Sequence, residues 1–226
     1  MSTTFDALIQ LKQDFYDILL TNSGELYEDK RFPWPNYVFR SNFFRRAHLD
    51  IVDARDTKKI YMMHLCVFPN TNDSSPIYGF DIIAGPKKVT GAFHDFSAGY
   101  DKNHYMIDFF RNSVKGLEWS KKRELPEWAR NIFSDSMVAA GNVQDPDELK
   151  TITNLGRANL LYYIEHVGRS LDDNIDSTDA QNYYCYNQRQ NPHTPKVMQS
   201  LGFDSDTVDS FIKKCLFPTV DADNNK

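Results

Sequence analysis

The sequence has none of the short motifs that hold nucleotides or build the best-known hydrolytic centres. No GxGxxG follows a strand-like run, no GxxxxGK[ST] occurs, and neither a GxSxG elbow nor an HExxH pair is present. These gaps exclude the dinucleotide fingerprint, the P-loop, the hydrolase nucleophile elbow and the zincin helix. Cysteine is scarce: Cys66, Cys185 and Cys215 lie far apart with no CxxC pair, which argues against an iron–sulfur or zinc–cysteine site. An odd count without a framework suits a reducing compartment, so a cytoplasmic location is expected. Positive charge is in deficit. With 26 Lys+Arg against 31 Asp+Glu the net charge is −5, the wrong sign for a nucleic-acid binder. The start, MSTTFDALIQL, lacks a basic segment leading into an apolar run, so no signal peptide is expected. No stretch approaches the roughly 18 continuous apolar residues of a membrane span. Asn72-Asp73-Ser74 fits a glycosylation sequon, but nothing else points to secretion.

What is present is a core-forming chain. Its 226 residues are 41% hydrophobic and 14% aromatic, enough for a substantial core and consistent with one domain over 1–226. The stretch Ile60–Phe96 organises it. Three apolar runs, rich in β-branched and aromatic residues, are separated by PNTNDSSP and AGPKK, which predicts a three-stranded antiparallel meander. Alternation places Ile60, Met62, His64, Cys66 and Phe68 on one face of the first strand, and Ile77, Gly79, Asp81 and Ile83 on one face of the second. An imidazole and a carboxylate inside adjacent apolar strands are either a mutually satisfied core pair or the lining of a polar pocket. The residues alone leave both open.

Around the meander the pattern predicts a helix over 3–20, capped by Thr3 or Thr4, and strands at Tyr37–Arg40 and Phe43–Asp53, with His48 and Asp50 on one face. Gly24–Tyr37 reads as an irregular connection. A helix is expected over Asp108–Trp119, a proline-started turn or helix around Glu127–Phe133, and a last strand over Phe133–Ala140. From Asp145 the character is helical: Asp145-Pro146-Asp147-Glu148 starts a helix running to about residue 172. Further helices are expected over Ala180–Gln190, from Lys196 to Leu201 after Pro192 and Pro195, and over Ser205–Lys214. Strands in the middle with helices on both sides predict an α/β fold, a three-layer α/β/α sandwich with a central antiparallel sheet. His94-Asp95 near His104 invites a metal reading, but a strand sets His94 and Asp95 on opposite faces, so no metal site is expected.

Five stretches resemble the ferredoxin-dependent bilin reductases, most of all the phycocyanobilin:ferredoxin oxidoreductase branch. They are FRRAHLDI (Phe44–Ile51), MHLCVFP (Met63–Pro69), IYGFDIIAGPKKV (Ile77–Val89), RELPEW with IFSD (Arg123–Asp135) and YYCYNQRQNPHTPKV (Tyr183–Val197). The resemblance implies a sheet between two helical layers, with biliverdin IXα held between the sheet and the C-terminal helices. It also implies no bound cofactor or metal: electrons arrive singly from reduced ferredoxin and the protein supplies protons. By that resemblance the catalytic aspartate is Asp81 and the catalytic histidine His64, with His48 and Asp50 in the same machinery. Arg123 matches an arginine that pairs one propionate, Thr90 stands where a serine reaches the other, and Asn191 matches an asparagine bordering the pocket. A buried carboxyl with a raised pKa can hold a proton near neutrality and deliver it to a bilin radical.

Two departures bear on the product. The phycocyanobilin branch has a glutamate where His48-Leu49-Asp50 has aspartate, one methylene shorter, and that glutamate serves reduction of the D-ring vinyl group. A propionate-holding lysine is replaced by His193. An acid that no longer reaches the vinyl group favours reduction through 15,16-dihydrobiliverdin to phycoerythrobilin; phycocyanobilin and a non-catalytic bilin carrier are the alternatives. Ferredoxin is acidic, so docking on this acidic chain needs a local basic face, for which Arg45, Arg46, Lys87, Lys88, Lys121 and Lys122 are candidates. A monomer is expected.

Overall fold

A computed structural model describes residues 4–169 and 171–224. The chain begins with α1 (Thr4–Asn22), whose apolar stripe Leu8, Leu11, Phe15 and Leu19 is buried. Seven strands follow as one antiparallel sheet in sequence order: β1 (Glu25–Glu28), β2 (Asn36–Arg40), β3 (Phe44–Ala54), β4 (Ile60–Pro69), β5 (Ile77–Gly85), β6 (Lys88–Ser97) and β7 (Val138–Ala140). One-turn helix α2 (Arg55–Lys58) joins β3 to β4. Between β6 and β7 lie α3 (Tyr105–Val114) and α4 (Glu127–Arg130). After β7 come α5 (Pro146–His166), α6 (Thr178–Gln188), α7 (His193–Ser200), α8 (Ser205–Phe211), a π-helical turn (Ile212–Leu216) and α9 (Val220–Asn224).

The two sheet faces carry separate cores. On one face α1, α3 and α5 pack against residues such as Tyr78, Phe80, Ile82 and Phe96. Gly156 of α5 shows how close this approach is: a Cβ there would sit 2.5 Å from the Phe80 ring. The other face meets Tyr184, Cys185, Met198, Val208 and Phe211 from α6, α7 and α8 through Val52, Cys66, Phe68 and Ile77. The result is the expected three-layer α/β/α sandwich, with the C-terminal helices standing off part of the sheet to leave a cavity.

The differences from the sequence reading are local. β1 falls in the stretch expected to be an irregular connection; it begins and ends with a glutamate and none of its four residues is buried, so it carries little strand pattern. α3 runs from Tyr105 only to Val114, and Gly116, at φ +78, takes the chain out of the helix. α5 stops at His166 because Gly168 has φ +77. α7 starts at His193, since Pro195 falls in the first turn, where a missing N–H costs nothing. β7 is shorter than expected, and Ser205–Lys214 is α-helical only to Phe211. Thr3, offered as a cap, lies outside the described residues. Among the described residues no helix is long and apolar enough to cross a membrane, and no cluster of His, Cys, Asp and Glu could hold a metal ion.

Candidate active site

Register builds the centre of the site. In the β3–β4 ladder Asp50 lies opposite His64, and in the β4–β5 ladder His64 lies opposite Asp81. An acid, an imidazole and an acid therefore stand in one row across three adjacent strands, all on the face turned to the C-terminal helices. Phe93 continues the row on β6. These side chains line a cavity of about 920 Å³ between the sheet and the segments from α4 through Phe217, a size suited to a large organic ligand.

Burial sets the charge states. Asp50 is pushed up to about 8, first by burial and then by the nearby Asp81 charge, against a lowering hydrogen bond from the Trp34 indole. Burial alone takes Asp81 up to about 7 and His64 down to about 4. Near neutrality the site thus presents a protonated Asp50, an Asp81 close to its titration midpoint and a neutral imidazole. His64 Nε2 has no hydrogen-bond partner among the described residues, while the Phe217 ring stands edge-on to the imidazole at 5.4 Å. Two acids and a neutral ring in contact with one cavity can hold, donate and exchange protons with a ligand seated there.

The wider lining is built by the elements around this row. A bulge between Ile83 and Ala84 carries the β5–β6 ladder past Thr90, whose hydroxyl donates to the Ile83 carbonyl at 3.0 Å. Arg123 is exposed at the cavity and donates to the Thr90 carbonyl at 2.6 Å. Its side chain crosses Gly141 so closely that a Cβ there would lie 2.8 Å from Nε. Asn191 accepts from the His193 backbone N–H at 3.0 Å, shaping the start of α7, and both residues line the cavity.

Of the residues singled out from the sequence, Asp50, His64, Asp81, Thr90, Arg123, Asn191 and His193 all line the cavity. His48 does not. It is fully buried beside the row, bonded to Asn36, with its ring 6.2 Å from that of His64. Three contributors were missed. Trp34 bonds Asp50, Phe217 packs on His64, and Asp95 lines the cavity opposite Gly79 in register. Asp95 accepts from Ser134 N–H and Oγ and from Ser97 Oγ, yet burial raises it to about 6. Strand alternation from Asp81 and Gly79 could have found it. His94, on the opposite face as expected, is a core residue bonded to the Gly79 carbonyl and to Asn159.

One expectation is corrected outright: Arg45 and Arg46 are not on a docking face. A bulge between Phe44 and Arg46 lets both neighbours reach Asp223, at 2.8 and 2.9 Å, where Arg40 joins them at 3.1 Å. Arg46 is fully buried and also holds the Cys215 carbonyl at 2.7 Å, so the pair clasps the C-terminal segment.

The sequence profile described as ferredoxin-dependent bilin reductase matches residues 8–218. Phycocyanobilin:ferredoxin oxidoreductase of Gloeobacter violaceus is 29% identical over 202 residues, covering 86% of this chain and 77% of the relative. The enzyme of the same name from Prochlorococcus marinus is 26% identical over 215 residues, covering 93% and 87%. Among solved structures, that of PcyX is 33% identical with a TM-score of 0.67, covering 94% of this chain and 99% of that one. Tomato phytochromobilin synthase, solved in complex with biliverdin, has a TM-score of 0.75 at 16% identity, covering 95% and 85%, a likeness of fold. The chain belongs to the ferredoxin-dependent bilin reductase family. It is an oxidoreductase whose electrons come from ferredoxin.

Proposed function

We propose that the protein carries out the four-electron reduction of biliverdin IXα to phycoerythrobilin, by way of 15,16-dihydrobiliverdin. The observation that carries this reading is the in-register row Asp50–His64–Asp81 on the cavity wall, with both acids raised toward neutrality. Each electron from ferredoxin makes the bilin more basic, and a proton delivered with it prevents the build-up of charge in a poorly solvated cavity. Asp81 and His64 donate or relay those protons. Over the reaction four electrons and four protons are added, two of each at the 15,16 bridge and two of each at the A-ring. Arg123 pairs one propionate, Thr90 stands near the other, and Asn191 and His193 border the bilin.

Asp50 carries the product assignment. It sits opposite His64 but is one methylene shorter than the glutamate of the phycocyanobilin branch, and its carboxyl is tied to Trp34. Proton transfer needs hydrogen-bond contact, so a retracted acid leaves the D-ring vinyl group unreduced. Ferredoxin docks on Lys87, Lys121 and Lys122, which are exposed, together with Lys88, which is half-buried and bonded to Asn142 at 2.6 Å. The protein works as a monomer formed by one domain.

An anaerobic absorbance time course with biliverdin IXα, ferredoxin and a reducing system tests the reading. The expected course passes through a transient bilin radical to a new bilin. A bound-biliverdin spectrum that persists unchanged under reducing conditions refutes it.

A further inference from the structure

A second polar system lies beside the cavity wall. His48 bonds through Nε2 to Asn36 Oδ1. The Nδ2 of the same amide donates to Cys215 Sγ at 3.0 Å. That sulfur lies 3.6 Å from Asp29 Oδ2 and 3.6 Å from His48 Nε2. Asp29 is itself buried and accepts from Arg31 Nε at 2.7 Å.

Three members of this chain can each be reversed. An amide can present either end, a thiol can donate or accept, and a neutral imidazole carries its proton on either nitrogen. An ionised carboxylate can only accept. Burial raises the Asp29 carboxyl, but hydrogen bonds and charge from Arg31 outweigh it and hold the pKa below the ordinary value. Burial pushes the Cys215 thiol up to about 12, so it keeps its proton. With that proton directed to Asp29, the sulfur accepts from Asn36 Nδ2. The amide then turns its carbonyl to His48, and the carbonyl requires an N–H from the ring. The reverse arrangement would set sulfur lone pairs against the carboxylate with no proton between them.

We propose that the Asp29 carboxylate, acting through Cys215 and Asn36, holds His48 as its Nε2–H tautomer, so that Nδ1 is the nitrogen on which this ring accepts a proton. Asp29, Cys215 and Asn36 are then positioning residues for His48, whose ring is 6.2 Å from that of His64. Titratable and charged groups near His48 among the described residues include His64, Asp50 two residues along β3, Cys215, Asp29 beside that thiol, and Arg46 through the Cys215 carbonyl.

The test is nitrogen-15 NMR of the histidine rings in the whole ligand-free protein at neutral pH. Neither biliverdin nor ferredoxin is present, so its outcome is separate from that of the reductase reading. A single Nε2–H tautomer is expected for His48, kept in Cys215→Ser, whose hydroxyl can replace the thiol. Asp29→Asn can donate as well as accept, and an Nδ1–H population should appear. Should that variant fail to fold once Arg31 loses its partner, Cys215→Ala removes one buried sulfur and should also give a mixture. An Nδ1–H or doubly protonated ring in the wild type, or an unchanged tautomer in a folded Asp29→Asn or Cys215→Ala, overturns the proposal.

Discussion

The Trp34 indole donates its only hydrogen bond to the Asp50 carboxylate, and this bond opposes the upward shift that burial imposes on the acid. Removing it should leave Asp50 protonated to higher pH. In Trp34→Phe the carbonyl stretch of the protonated acid, followed by infrared difference titration, should persist above the wild-type midpoint near 8. A midpoint that stays put or falls would show that the indole does not set the charge state. The ring packs on Phe32, Phe203 and Phe211, so phenylalanine keeps most of the burial. The lost bond should cost about 1–3 kcal/mol of stability.

Asp81→Asn removes a proton source while keeping size and polarity. Biliverdin should still bind with an affinity within a few-fold of wild type, whereas the rate of reduction should fall by about 10²-fold or more. The donor is the protonated form, so wild-type turnover should be highest on the acid side and fall as pH rises through about 7. Stopped-flow rates across pH 6 to 9 check both points.

Stability should also decline in that range. Asp50 and Asp81 bind protons in the folded state that the unfolded chain has already released, so folding weakens as pH rises toward about 8 and about 7 respectively. Lower down, His64 and His94, both lowered to about 4, act in the opposite sense, while Asp95, raised to about 6, acts with the two acids. The histidine contributions are complete about one pH unit above the ordinary histidine value, and below that they offset the acids only in part. Denaturant melts from pH 6.5 to 8 should therefore show falling stability, by at most about 1.4 kcal/mol per pH unit for each acid still titrating. Asp50→Asn should flatten the profile.

Basic residues should separate into two groups. Lys121→Ala with Lys122→Ala should raise the ferredoxin KM and weaken the salt dependence of turnover, leaving the melting midpoint nearly unchanged. Arg46→Ala should do the reverse. It leaves Asp223 with one partner fewer in a buried cluster, at a cost of about 3–5 kcal/mol.

Much of the site could be read from the sequence because strand alternation and short turns leave little freedom. Once Ile60–Phe96 is a meander, alternation fixes which residues accompany His64 on β4 and Asp81 on β5, and the register set by the β4–β5 connection puts the two opposite each other. On β3 alternation sets Asp50 only with His48; its place beside His64 is implied by the resemblance and fixed by the β3–β4 register. Charge alone put Arg45 and Arg46 among the docking candidates; the bulge that turns both toward the distant Asp223 leaves no local pattern in the sequence. Trp34 and Phe217 were beyond local pattern. They reach the site from an irregular segment and from the chain after a π-helical turn, held down by Asp223 and by Arg189 on the Phe217 carbonyl at 2.7 Å. Long-range ion pairs of this kind leave no periodic trace.

Chromatography of the final bilin from anaerobic turnover, run side by side for wild type and Asp50→Glu, tests the link between the acid row and the product most directly. Phycoerythrobilin is expected from the wild type, with a shift toward phycocyanobilin when the added methylene restores the longer acid. Phycocyanobilin from the wild type, or the same product from both proteins, would contradict the role given to Asp50.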